Sequence, residues 1–265
     1  MKDLKTIVNK VAEIALETGK FIKQEAKGFD ISRTETKGLH DLVSYVDKKS
    51  EEMLVQKLGL TLPEAGFITE EGTSSKKCGK YCWVIDPLDG TTNFVHGLPP
   101  YAISIGLLED DEPVAGVVYE ASGSEIFTAW KNGGAWLNGK AIHVSDTTKL
   151  SDSLIATGFP YNDFGRLDEF LESLKHFSKT THGIRRLGSA AIDMAYVACG
   201  RFETFYEYGL NPWDIAAATI IVREAGGKVS DFRGNEKNLS GSDIIASNNL
   251  LYSEFLETVN KFMNR

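Results

Sequence analysis

Apolar residues return at helical spacing from the start of the chain. Leu4, Ile7, Val8, Val11, Ile14, Ala15 and Ile22 fall on one face, which predicts an amphipathic helix over residues 3–26. The polar stretch 27–40, with two glycines, reads as an exposed loop. A second helix is expected over 42–58, with Val46, Met53, Leu54 and Leu58 facing inward. Short β-like segments follow at 66–69, 83–85, 102–108, 113–119 and 125–130, and the acidic run 109–112 suits a hairpin link. The first half therefore reads as helices followed by a largely antiparallel sheet.

After residue 150 the pattern alternates. Strands are expected at 154–157, 182–186, 202–206 and 244–247, and helices at 167–177, 189–199, 213–225 and 250–263. Such alternation predicts layered α/β packing. The turn-rich run Ser145, Asp146, Thr147 and Thr148 places a boundary near 144–150. The chain then divides into an α+β half over 1–146 and an α/β half over 147–265.

Composition narrows the functional classes. With 265 residues, 42% hydrophobic and 25% charged, the chain can bury a sizeable core and is no disordered or fibrous sequence. The 29 basic and 37 acidic residues give a net charge of −8, with no Lys/Arg block, which argues against nucleic acid as the main partner. No apolar run approaches the ~18 residues of a membrane span, and Glu13 and Glu17 interrupt any signal-peptide core. Three cysteines make no disulfide framework, so a reducing cytoplasm is the expected home. Cys78 and Cys82 are expected as free thiols, because four zinc ligands are not assembled around them. An acidic chain that binds an anion needs local positive charge, and metal ions on its own carboxylates would supply it.

The most informative stretch is Trp83-Val-Ile-Asp-Pro-Leu-Asp-Gly-Thr-Thr-Asn-Phe94. An apolar strand delivers Asp86, Pro87 stiffens the exit, Asp89 follows, and Gly90 allows a tight turn into a helix at Thr91 or Thr92. Carboxylates held together repel unless a cation lies between them, and hard Mg²⁺ prefers such ligands. The N–H groups of Gly90 and Thr91 at a helix start suit a phosphate. Other acidic positions are ordinary when read singly. Glu70-Glu71-Gly72 fits a solvated turn, Asp214 after Pro212 fits a helix first turn, and Asp47 fits a surface acid. His96, beside the motif, reads as structural or as part of a rim.

Taken together, residues 83–97 and 213–227, with 41–47, 68–71 and 188–190 between and before them in order, resemble the inositol monophosphatase family of metal-dependent phosphatases. The resemblance implies a layered αβαβα sandwich of the inositol monophosphatase and fructose-1,6-bisphosphatase type, in a homodimer. It implies two or three Mg²⁺ ions per site, with Li⁺ as inhibitor. Glu70, Asp86 and the Leu88 carbonyl would hold the first ion, Asp86, Asp89 and Asp214 a second, and a weaker third would lie near Glu70. Asp47 would pair with Thr91, whose hydroxyl with Glu70 would orient the attacking water. Gly90 and Thr91 amides would receive phosphate oxygens, while Asp89, Ala190, Glu207 and Asp214 would contact the alcohol portion. Lys37 matches a family lysine near the site.

The reaction so implied is hydrolysis of inositol 1-phosphate, an inositol monophosphate, by metal-activated water. Related activities on NADP, fructose 1,6-bisphosphate or adenosine 3′,5′-bisphosphate are the alternatives, and a phosphate-sensing scaffold that kept the fold is a reading of another class. The aspartyl-nucleophile phosphatases place one residue between their two aspartates. Asp86 and Asp89 have two between them, which argues against that chemistry.

Overall fold

The computed structural model describes residues 2–29, 34–38, 41–161, 163–237 and 242–263, with the backbone alone at 34–38 and 41–43. The chain opens with helix α1 (Leu4–Ala26), whose first turn is capped by Asp3 accepting from the Thr6 amide. Its apolar stripe is buried, together with Thr18 and Gly19. Strands β1 (Thr34–Gly38) and β2 (Asp41–Ser44) then pair antiparallel, where the sequence reading had an exposed loop and the start of a helix. Helix α2 (Tyr45–Thr61) begins only after Ser44, because Ser44 and Asp47 form a reciprocal capping box. Its inner face holds Val46, Leu54 and Leu58 as expected, but also Asp47, Ser50 and Glu51.

The next elements are β3 (Gly66–Thr69), β4 (Tyr81–Asp89), the short helix α3 (Thr91–Val95), β5 (Ala102–Glu109), β6 (Glu112–Glu120), β7 (Glu125–Trp130), β8 (Ala135–Leu137) and β9 (Lys140–Ile142). Strands β3–β9 lie side by side in sequence order as a seven-stranded sheet, antiparallel except for the β3/β4 pair. The β8/β9 hairpin has only three residues per arm, too few to carry a periodic signal.

Beyond it come β10 (Leu154–Thr157), α4 (Leu167–Thr180), β11 (Gly183–Arg185), α5 (Ala190–Ala198), β12 (Thr204–Tyr208), α6 (Pro212–Glu224), β13 (Lys228–Ser230), β14 (Asp243–Ser247) and α7 (Tyr252–Met263). They build a five-stranded mixed sheet in the order β11-β10-β12-β14-β13. Helices α1 and α2 cover the outer face of the large sheet, and α4 and α7 cover the outer face of the small one. Helices α5 and α6 lie between the sheets, which completes the αβαβα sandwich.

Strands of the two sheets come from residues 66–142 and 154–247, yet one apolar cluster joins Ala102, Val118 and Phe127 to Ile192, Ala217 and Ile221. Close approach of α6 depends on glycine. A Cβ on Gly106 would lie 2.9 Å from the Ala216 methyl, and one on Gly116 would lie 2.3 Å from the Ala217 carbonyl oxygen. Among the described residues no helix is long and apolar enough to cross a membrane.

Cys78 and Cys82 differ from the expected free thiols. Strand β4 starts at Tyr81, directly after the turn at 79–80, and this brings their Cα atoms to 5.0 Å, where the two sulfurs are bonded. The remaining Cys199 is free. A bonded pair no longer supports the cysteine argument for a reducing compartment.

Candidate functional site

The site grows from a fault in one strand. Asp86 of β4 pairs with Ser104, and Asp89 pairs with Ala102, so three steps on β4 face two steps on β5. In a regular strand, residues three apart point to opposite faces. The extra residue at Pro87-Leu88 is a β-bulge, and it returns Asp89 to the face that carries Asp86. Asp86 is buried, and its Oδ1 accepts from the Leu88 amide at 2.9 Å, which locks the bulge. Strand β3 runs parallel beside β4, with Thr69 opposite Ile85. The Glu70 amide donates to the Ile85 carbonyl, so Glu70 arrives level with Asp86.

Gly90 then takes φ = +93°, and a Cβ there would lie 3.0 Å from the Pro100 carbonyl oxygen and 3.2 Å from that of Gly188. Both the dihedral and the space require glycine. Thr91 opens α3, and its hydroxyl lies 2.9 Å from Asp47 Oδ1 and 3.0 Å from the Leu88 carbonyl oxygen. The other Asp47 oxygen accepts from the Ser44 amide and hydroxyl at 2.9 and 2.6 Å. Asp47 is therefore a buried acid that ties a helix cap to the motif, and not the surface acid that its lysine neighbours suggested.

Two helices complete the arrangement. Ser189 caps α5, and its hydroxyl and the Ala191 amide donate to Asp89 Oδ2 at 2.6 and 2.8 Å. Asn211 and Asp214 form a capping box at the start of α6, with Asp214 Oδ2 accepting from the Asn211 amide at 2.7 Å. Capping and a place in the cavity are thus compatible for Asp214. The cavity holds about 290 Å³, and Glu70, Asp86, Asp89, Thr91, Glu207 and Asp214 all line it. Gly90, Leu88 and Ala190 line it as well. Asp47 stands behind Thr91 and reaches the cavity through it. His96 is exposed and lies outside the lining. The Lys37 side chain lies outside the described residues.

Electrostatics make this cluster costly without a cation. Burial, then the charges of Asp214 and Asp47, push the Glu70 carboxyl well above the usual range. Burial, then Glu70 and Asp89, do the same to Asp86. Burial lifts Asp89 to about 6 against the pull of Ser189 and Ala191, and burial with Asp89 lifts Asp214 to about 7. Glu70 Oε2 is shut off from solvent with no hydrogen-bond partner among the described residues. Among those residues no three His, Cys, Asp or Glu side chains stand as a finished ligand cage. Four mutually repelling carboxyls, one of them with an orphaned oxygen, suit hard divalent cations such as Mg²⁺.

Some lining residues had no sequence signal of their own. Tyr161, Arg186 and Gly158 lie in connecting segments without a motif. Asp193 had one, since it sits three residues after Ala190 on α5 and so shares its face. Glu51 also went unnoticed. Buried on α2, it accepts from the Glu71 amide at 2.7 Å and from the Thr73 amide and hydroxyl at 2.8 Å, which holds the turn just after Glu70.

A carboxylate-lined cavity between the two sheets, facing a glycine-led helix start, suits a phosphatase of the metal-dependent sandwich class. The profile of the inositol monophosphatase family matches residues 3–263, and the chain belongs to that family. It is 38% identical to an inositol-1-monophosphatase of Mesorhizobium japonicum over 256 residues, covering 96% of each chain. It is also 38% identical to the Nus factor SuhB of Pseudomonas aeruginosa over 261 residues, covering 97% of this chain and 96% of that one. The crystal structure of the extragenic suppressor protein suhB from Bartonella henselae superposes with a TM-score of 0.90 at 35% identity, over 97% of this chain and 99% of that one.

Proposed function

We propose that the chain is a Mg²⁺-dependent phosphomonoesterase acting on an inositol monophosphate such as inositol 1-phosphate, which it hydrolyses to inositol and phosphate. The observation that carries this reading is the convergence of Glu70, Asp86, Asp89 and Asp214 on one cavity beside Gly90 and Thr91. Bound cations would neutralise the phosphate and make water a better nucleophile, with Glu70, Asp86, Asp89, Asp214 and the Leu88 carbonyl as their ligands.

The chain's own groups supply orientation. Asp47 accepts the hydrogen bond of the Thr91 hydroxyl, which turns a lone pair of that oxygen towards the cavity as an acceptor for a water proton. Glu70 is the second acceptor for the same water. Holding a water in line with phosphorus is the main demand of phosphoryl transfer, and no nucleophilic side chain is required. Gly90 and Thr91 amides receive phosphate oxygens, and Asp89, Ala190, Glu207 and Asp214 meet the alcohol. The reading extends to a homodimer, which light scattering checks.

Phosphate release from inositol 1-phosphate, fructose 1,6-bisphosphate, adenosine 3′,5′-bisphosphate and NADP, compared at one Mg²⁺ concentration, tests the proposal. The highest kcat/KM is expected for inositol 1-phosphate. A higher value for another of the four replaces the substrate, and no release from any of them favours the phosphate-sensing scaffold.

A further inference from the structure

The two acceptors proposed for the attacking water, Thr91 and Glu70, follow different strands, yet both are tied to one face of α2. Asp47 and Glu51 lie four residues apart on that helix, one turn from each other, and both are buried. Asp47 Oδ1 accepts from the Thr91 hydroxyl at 2.9 Å. Glu51 spends both oxygens on the chain just past Glu70. Its Oε2 accepts from the Glu71 amide at 2.7 Å, and its Oε1 from the Thr73 amide and hydroxyl at 2.8 Å.

The Glu71 amide belongs to the peptide plane that follows Glu70. The plane before Glu70 is held by its own amide, which donates to the Ile85 carbonyl at 3.3 Å. With both planar units tethered, the φ and ψ of Glu70 are fixed, and so is the direction in which its side chain leaves the backbone. Gly72, at φ = +68°, folds the chain back so that Thr73 reaches the same carboxylate. Burial and the charges of Asp214 and Asp47 act against the Glu70 carboxylate, so this backbone restraint holds it in the cavity before any cation arrives.

We infer that Glu51 is a positioning residue for the hydrolysis: it fixes the Glu70 carboxylate relative to the Thr91 hydroxyl, so that one turn of α2 sets both acceptors of the attacking water. The task needs a carboxylate. Glutamine offers one oxygen and one NH₂ group, so either the Glu71 or the Thr73 amide would face a donor. A misplacement of about 1 Å at a reacting group costs up to ~100-fold in rate. Glu70 keeps its bond to Ile85 when Glu51 is changed, so the expected loss is smaller. This role presupposes the phosphomonoesterase reading above.

The test compares wild type with Glu51→Gln, which is nearly the same size, after melting curves establish that the variant is folded. In metal-free protein, hydrogen exchange at the Glu71 and Thr73 amides is followed by NMR. Both are expected to exchange about ten-fold faster or more, while the amides of α2 and β4 keep their protection. With saturating Mg²⁺, kcat for inositol 1-phosphate is expected to fall about ten-fold and KM to stay within about two-fold, as loss of an interaction used in the transition state requires. On a Glu70→Gln background the same substitution is expected to cost no more than a further factor of about two, because its effect runs through Glu70. Wild-type kcat in folded Glu51→Gln, unchanged exchange, or the full loss repeated on the Glu70→Gln background overturns the inference and makes Glu51 merely structural. If Glu51→Gln does not fold, Thr73→Val decides, since it removes one of the three hydrogen bonds at an exposed position. A loss in kcat of about three-fold that Thr73→Ser restores then supports the role, and a wild-type kcat in Thr73→Val overturns it. Wild-type protein that releases no phosphate from inositol 1-phosphate defeats the functional reading together with this one, whereas an active wild type with an unmoved kcat in Glu51→Gln defeats this one alone.

Discussion

At the residue scale, the site is a set of charges whose positions are worth more than their identities suggest. Asp86 is the extreme case, buried and in repulsion with Glu70, Asp89 and Asp214. Asp86→Asn preserves volume and removes the charge, so turnover is expected to fall at least ~100-fold, about 2.7 kcal/mol of barrier. The same change relieves repulsion in the metal-free protein, and its melting temperature is expected to hold or rise. Near-normal activity in folded Asp86→Asn would sink the assignment of Asp86 as a shared ligand.

Glu207 gives a second residue-scale prediction. Burial, then the Asp214 and Asp89 charges, push its carboxyl well up, and it has room only because position 158 is glycine. A Cβ on Gly158 would lie 1.9 Å from Glu207 Oε1. The obstructed atoms are the tip of a flexible side chain, so Gly158→Ala should fold with Glu207 displaced. Glu207→Ala is expected to reduce inositol 1-phosphate turnover by roughly ten-fold, since two lost hydrogen bonds at ~0.5–1.5 kcal/mol each come to about the ~1.4 kcal/mol of one decade. p-Nitrophenyl phosphate, which lacks the ring hydroxyls, should suffer less. Adding Gly158→Ala to Glu207→Ala should cost little more, because both act through one side chain. Additive losses would separate the two positions.

At the element scale, the site depends on how strands and helices are tied together. The bulge in β4 aims Asp89, the parallel neighbour β3 brings Glu70, and the glycine-lined approach of α6 brings Asp214. Farther away, Glu125 at the start of β7 takes both Arg201 terminal nitrogens at 2.5 Å, which joins the large sheet to the turn after α5. Arg201 holds the Glu125 carboxyl below the usual carboxylate range. With the folded pKa below the unfolded value of ~4.3, the pair's stabilisation is complete above that value and drains away as pH falls through the folded pKa. The side chains are partly exposed, so Glu125→Gln is expected to lower stability at pH 7 by no more than ~1 kcal/mol. Denaturation at pH 3 should show the variant and the wild type converging. A gap that persists there would assign the effect to packing.

At the scale of the whole molecule, the cavity lies where two sheets and their shared helices meet, so cation binding and global stability are linked. Chelation is expected to abolish phosphate release and lower the melting temperature, with Mg²⁺ restoring both. At 100 times the dissociation constant, the gain is about 2.7 kcal/mol for one site. The proposed mechanism also predicts inhibition by Li⁺, whose single charge would occupy a magnesium position without matching it, and a decline at excess Mg²⁺. Rates untouched by chelator, millimolar Li⁺ and excess Mg²⁺ alike would overturn the metal-dependent mechanism.

Much of this was already written locally. Apolar spacing located α1, β3, β7, β10 and the helices of the second half, because buried faces impose a period of 3.6 or 2 on the chain. The motif at 83–97 was legible because strand, turn and cap chemistry is short in range, whereas 213–227 read locally as an ordinary helix start and entered through the family resemblance. Other features depend on partners distant in sequence. The β1/β2 hairpin and the three-residue strands β8, β9 and β13 exist through their neighbours, and nothing in their own composition requires them. The bulge that turns Asp86 and Asp89 to one face is a matter of register against β5. Read singly, Asp47 looked like a surface acid; only the resemblance paired it with Thr91, 44 residues away, and the fold brings the two together. The Cys78–Cys82 bond depends on where β4 starts. Local patterns select elements because propensity and burial period act over a few residues. Which acids share a cavity is a property of packing between elements and exists only once they have met.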